Sequence, residues 1–63
     1  MMLEAVWFKN GKEVFKISPV MNLVCYEDMN DISEIEVFNG EDWYSCENCD
    51  INADNFMIRI KKD

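Results

Sequence analysis

Residues 3–17 read LEAVWFKNGKEVFKI, two apolar runs of β-forming residues on either side of Asn10-Gly11. Asn-Gly is the favoured pair for a type I′ hairpin turn, because both central positions need a positive φ that Asn tolerates and Gly adopts without steric cost. The stretch therefore predicts an antiparallel hairpin of residues 3–9 with residues 12–17. In an uninterrupted register Trp7 faces Val14 and Val6 faces Phe15. Apolar cross-strand pairs then lie on both faces of the ribbon, and such a hairpin is partly covered on both sides.

Further along, Pro19 would remove a ladder donor from a central strand and belongs at a strand start or an edge. A third run, Val20 to Tyr26, follows it, and 27–31 form a polar turn. From Ile32 to Phe38 the chain alternates, Ile35 and Val37 on one face and Glu34 and Glu36 on the other, the pattern of a half-buried strand. Asp31 with Glu34 three residues on has the form of a capping box, so a short helical turn near residues 28–34 competes; the β-branched residues favour extension. Asn39-Gly40-Glu41-Asp42 reads as a four-residue loop that sets Phe38 against Trp43 and Val37 against Tyr44. In the last strand Phe56, Ile58 and Ile60 alternate with Met57, Arg59 and Lys61. The fold class is all-β: one small domain of five or six short antiparallel strands, as a meander, a bent sheet or a small barrel.

At 63 residues there is material for one core, and 49% hydrophobic residues make that core attainable. A domain of this size buries only roughly 60% of its unfolded surface and sits near the limit of stability. The start Met1-Met2-Leu3-Glu4 lacks the basic and apolar regions of a secretory signal, and no apolar run reaches the roughly 18 residues of a membrane span. The expected location is the cytoplasm, where the three cysteines, Cys25, Cys46 and Cys49, stay reduced.

Cys46-Glu47-Asn48-Cys49 has the spacing of half a zinc site. Cys25 and Asp28 or Asp50 could add ligands, but there is no His and no second Cys pair, and the expectation is no metal and no cofactor. Redox use of the pair is disfavoured because its neighbours Glu47 and Asp50 are acidic, where a reactive thiolate needs basic ones. The plainer reading makes Cys25 and one of the pair small buried apolar groups. Residues 50–55 resemble the start of a calcium loop, yet Asn55 stands where the turn needs Gly and Lys61 where a bidentate Glu belongs. A polar connection into the last strand fits better. Without His, nucleophilic catalysis has no base, and Glu34 and Glu36, about 7 Å apart along a strand, lack the pocket that a pair of catalytic carboxylates requires. The chain reads as a non-enzyme.

Charge is the informative feature. All six basic residues lie at the ends: Lys9, Lys12, Lys16, Arg59, Lys61 and Lys62. Between Ile17 and Ile58 stand ten of the thirteen acids and no cation, and the formal net charge is −7. Carboxylates about 7 Å apart fall inside the roughly 8 Å Debye length of physiological salt, so their repulsion is incompletely screened and a basic partner relieves it. Phosphates along one DNA strand repeat at a similar pitch. The expected function is a nucleic-acid mimic that occupies the basic surface of a nucleic-acid-handling protein, with Glu34, Glu36, Glu41, Asp42, Trp43, Tyr44 and Glu47 making the contact. Direct binding of nucleic acid is disfavoured.

In size and charge the chain is similar in general character to the small inhibitors that phages and mobile elements direct against host nucleic-acid enzymes, though no residue-by-residue match carries that likeness. The alternative is an interaction module or assembly subunit, including a homodimer, that acts through an apolar patch or a sheet edge. The strand after Pro19 is the edge expected to do so, since the terminal strand is guarded by Arg59, Lys61 and Lys62.

Overall fold

The computed structural model describes residues 2–28, 31–48 and 50–61. Six strands follow in chain order: β1 (Met2–Lys9), β2 (Lys12–Ile17), β3 (Asn22–Asp28), β4 (Asp31–Phe38), β5 (Trp43–Ser45) and β6 (Asn55–Lys61). They form two antiparallel three-stranded sheets, in the orders β2-β1-β6 and β3-β4-β5. Among the described residues there is no helix: β3 runs to Asp28 and β4 starts at Asp31, so where the competing helical turn near 28–34 falls on described residues the chain is extended, and its residues 29 and 30 lie outside them.

The first turn is as the Asn-Gly pair dictates, with φ of 53° at Asn10 and 78° at Gly11. Lys9 faces Lys12 and Phe8 faces Glu13, as a two-residue loop requires. The register then shifts, and Trp7 pairs with Phe15 instead of Val14, and Val6 with Lys16 instead of Phe15. A β-bulge at Val14 supplies the extra residue. Its cause is the pattern of β2. An unbroken ladder would set Lys16 opposite Ala5 on the core face and turn Phe15 and Ile17 outward, whereas one inserted residue reverses both outcomes. Val14 itself is 49% exposed.

Pairing of β1 with β6 from Met2↔Lys61 to Phe8↔Asn55 makes β1 the central strand of the first sheet. Its core face carries Ala5 and Trp7, flanked by Ile17 and Ile58 and by Phe15 and Phe56. The second sheet offers Val37 to the same buried cluster, with Leu23, Ile35 and Tyr44 packed against it. Trp7 is 1% exposed, with ring centroids 5.2 Å from Phe15 and 4.7 Å from Phe56, and Phe15 reaches Tyr44 at 5.3 Å. This aromatic chain joins the two sheets through their inner faces.

Backbone bonds outside the ladders stitch the two layers together and extend the first sheet. In the β2–β3 connection, Val20 N donates to Leu3 O at 2.8 Å and Met21 N to Phe38 O at 2.9 Å, so consecutive amides tie β1 to β4. On the other side, Asp54 N donates to Phe8 O at 2.9 Å, and the Asp54 carboxylate accepts from Asn10 N at 3.1 Å. Residues 50–55 thus do the work of a polar connection, pinned to the first hairpin turn.

Candidate functional site

The outward face of the second sheet follows from its two registers. Tyr26 pairs with Glu34, Val24 with Glu36 and Asn22 with Phe38; on the other side, Glu36 pairs with Ser45 and Phe38 with Trp43. Partners in a ladder share a face, so Asn22, Val24, Tyr26, Glu34, Glu36, Phe38, Trp43 and Ser45 all point away from the core that receives Val37. The Phe38 and Trp43 rings stack at 5.0 Å with 30° between their planes, the pairing expected of the four-residue loop.

Each expected contact residue can now be located. Glu34 is exposed and its carboxylate accepts from Ser45 Oγ at 3.1 Å. Glu36 is half-buried between β3 and β5. Glu41 and Asp42 sit in the β4–β5 turn, where Asn39 Oδ1 accepts both of their amides at 2.8 Å and fixes their direction. Glu47 is exposed just beyond β5, its amide held by Ser45 Oγ at 3.2 Å. Trp43 is 44% exposed. Tyr44 is a correction: as the neighbour of an outward residue it turns inward and packs on Phe15, so it belongs to the core and not to this face.

Among the residues of the face that were not expected are Val24 and Tyr26. With Glu36 and Trp43 they line a shallow trough of about 340 Å³. Tyr26 is 52% exposed, and the Glu36 carboxylate stands as hydrogen-bond acceptor toward its hydroxyl. That acceptor, and then the negative charge of Glu36, push the phenol above its ordinary value. A signal existed in the alternation of Val24 and Tyr26 with Leu23 and Cys25, but the polar stretch 27–31, expected as a turn, carries no residue pair that dictates a turn type and so left the β3–β4 register undetermined.

The electrostatics divide by sheet. Lys9, Lys12, Lys16, Arg59 and Lys61 all lie on β1, β2 and β6. Strands β3, β4 and β5 with the turn at 39–42 carry seven acids and no cation. Among the described residues every ion pair falls on the outer face of the first sheet. Arg59 Nε lies 3.0 Å from Glu4 Oε1 and Nη2 3.2 Å from Glu13 Oε1, while Lys16 Nζ is 3.9 Å from both carboxylates. The bulge helps to build this quartet by turning Lys16 outward beside Glu13. Glu4 is only 8% exposed, and the Arg59 hydrogen bond holds its carboxyl below the usual range against the opposing effect of burial.

The chain matches no family model, no curated protein and no solved structure.

The cysteines part company. Cys25 is exposed on β3, not buried as expected, because it lies beyond the reach of the core on an edge strand. Cys46 is half-buried, its amide donating to Ile35 O at 2.9 Å and its carbonyl accepting from Trp7 Nε1 at 3.3 Å. Cys25 pairs with Ile35 from the other side, so the two stand on opposite flanks of β4, about 10 Å apart by strand spacing. The described residues bring no three of Cys, Asp and Glu together as ligands; Cys49 and Lys62 lie outside them.

Proposed function

We propose that the protein is a small, non-catalytic acidic inhibitor that occupies the basic surface of a nucleic-acid-handling protein by presenting the outer face of β3-β4-β5 as a nucleic-acid mimic. The observation that carries this reading is the segregation of charge between the sheets. Five described cations lie on one sheet, where two of them are neutralised by Glu4 and Glu13, and the other sheet carries acids alone. A surface kept soluble by charge usually mixes signs, because like charges inside a Debye length repel. Here the repulsion is concentrated on one sheet and its turn, and a basic partner would relieve it. Glu34 and Glu36, two residues apart on β4, stand about 7 Å apart, the pitch of phosphates along a DNA strand. Trp43, exposed beside them, adds the aromatic anchor that interfaces favour.

The test is affinity capture from a bacterial lysate at low and at moderate salt, with duplex DNA as competitor. Captured proteins that bind nucleic acid, release with salt and are displaced by DNA support the reading. Retention that is flat in salt and unaffected by Glu34→Gln with Glu36→Gln overturns it.

A second reading, self-association through a strand edge, is favoured by one observation. β3 is an edge strand of seven residues, longer than the three-residue edge β5, and it carries no Lys or Arg, in contrast to the edges β2 and β6.

A further inference from the structure

Building on the reading of this face as the seat of a basic protein, we propose that the trough between Tyr26 and Trp43 is a pocket for one arginine side chain of that partner, its guanidinium resting on Glu36 between the two rings. The register creates the arrangement. Glu36 lies on the central strand β4, directly opposite Val24 on one side and Ser45 on the other. Tyr26 pairs with Glu34 and Trp43 with Phe38, so each ring stands on a diagonal of Glu36, and the two diagonals run to opposite ends of the sheet. Diagonal neighbours in a ladder are about 7–8 Å apart, within the reach of aromatic side chains. Aromatic walls, an aliphatic flank from Val24 and a carboxylate at the centre therefore converge on a space of about 340 Å³.

The chemistry of those walls selects the occupant. A cation over the face of Trp or Tyr is attracted by the ring quadrupole, and arginine is found there more often than lysine. Trp43 is braced from behind by Phe38 at 5.0 Å, which fixes its ring, while 44% of it remains exposed. Glu36 is half-buried and takes part in no ion pair with a described residue. An ionised carboxylate has about four lone-pair sites, and no described cation occupies any of those on Glu36, leaving acceptors for the forked N–H donors of a guanidinium. Arginine also gives up its hydration more readily than lysine and stacks as a plane, which suits a trough better than a point charge does. A neutral ligand would leave the Glu36 charge unanswered.

The experiment is a nuclear magnetic resonance titration of the isotope-labelled protein with N-acetyl-arginine amide and, as neutral isostere, N-acetyl-citrulline amide. Saturable shifts at Val24, Tyr26, Glu36 and the Trp43 indole N–H with the arginine compound alone are expected. Glu36→Gln and Trp43→Leu should each weaken binding about tenfold, the loss that follows removal of a charge-assisted or cation–π contact. The near-isosteric Glu36→Gln keeps the outcome readable if Trp43→Leu disturbs the sheet. Shifts that never saturate and spread over Glu41, Asp42 and Glu47, or equal binding of the citrulline compound, overturn the pocket. A short arginine-rich peptide separates this from the broader reading. If it binds in a salt-dependent way but equally well to Glu36→Gln, the pocket fails and the basic partner stands. If N-acetyl-arginine amide seats in the trough while peptide affinity is flat in salt, the pocket stands and the mimic fails.

Discussion

Arg59 Nε donates to Glu4 Oε1 at 3.0 Å across the β1–β6 ladder, where the two residues are direct partners on the face away from the core. With Glu13 and Lys16 they make a neutral patch on an otherwise acidic molecule, and the two cations in it are thereby withdrawn from the rest of the surface.

That patch has a pH signature. The folded-state pKa of Glu4 is depressed, chiefly by the Arg59 hydrogen bond, so its stabilisation is fully present above the unfolded value of about 4.3 and is lost as pH falls through the folded value. Glu4→Gln should therefore destabilise the protein most near neutral pH, and the gap from wild type should close in acid. Urea midpoints of both proteins at about pH 7 and about pH 3 measure this; a gap that is constant with pH would show that Glu4 matters by packing alone.

Trp7 is the side chain on which both sheets close. Replacing a buried tryptophan by alanine costs about 3–5 kcal/mol, comparable with all that a core of this size supplies. Trp7→Ala is expected to leave the chain unfolded by circular dichroism at room temperature. Trp43→Ala, at a ring already 44% exposed, should fold with a lowered midpoint.

The bulge makes a sharper claim. Because Val14 is the inserted residue, deleting it joins Glu13↔Phe8 directly to Phe15↔Trp7 and preserves every other pairing of the hairpin. Deleting Lys16 instead moves Ile17 opposite Val6, off the core face. The first deletion should keep a cooperative melt and native tryptophan fluorescence, and the second should lose both.

What could be read from the sequence was what short range determines. Asn10-Gly11 fixed the first turn, and Asn39 to Asp42 fixed the Phe38–Trp43 and Val37–Tyr44 pairs. The bulge was hidden because a period-two pattern cannot say where one residue is skipped; burial of Phe15 and Ile17 against a second sheet decides it. The pairing of β1 with β6, which brings Arg59 to Glu4, spans nearly the whole chain and has no local signature. For the site, Glu34, Glu36 and Trp43 were legible from alternation and charge. Tyr26 was not, since its place beside Glu36 depends on a β3–β4 register that also shifts between Tyr26 and Asp28.

The edge of β3 gives a linked pair of measurements. If β3 pairs with a second copy, sedimentation shows a concentration-dependent dimer, and Cys25 becomes slow to alkylate as that dimer forms. A monomer at high concentration in which Cys25 is modified ahead of half-buried Cys46 counts against self-association.

The acidic face yields the last prediction. Glu34 and Glu36 lie on one strand and one face, inside a Debye length of each other and without a cation on their sheet. Replacing both by Gln removes repulsion and keeps size and the acceptor toward Ser45 Oγ, so the fold should be unchanged or slightly more stable by urea denaturation. Binding to a basic partner should nonetheless fall by about tenfold or more, because close interfacial charge pairs couple by about 1.5–7 kcal/mol. The salt dependence of the affinity should flatten as well, since fewer charges are brought together. Lys12→Gln with Lys61→Gln is the control, exposed changes on the opposite sheet that leave the Glu4 quartet intact and should leave the affinity unchanged or higher. Lys16 would be a poor control, because its loss disturbs Glu4 and Glu13. If the double Gln protein binds as wild type at low salt, the carboxylates of β4 serve solubility alone and the mimic reading falls.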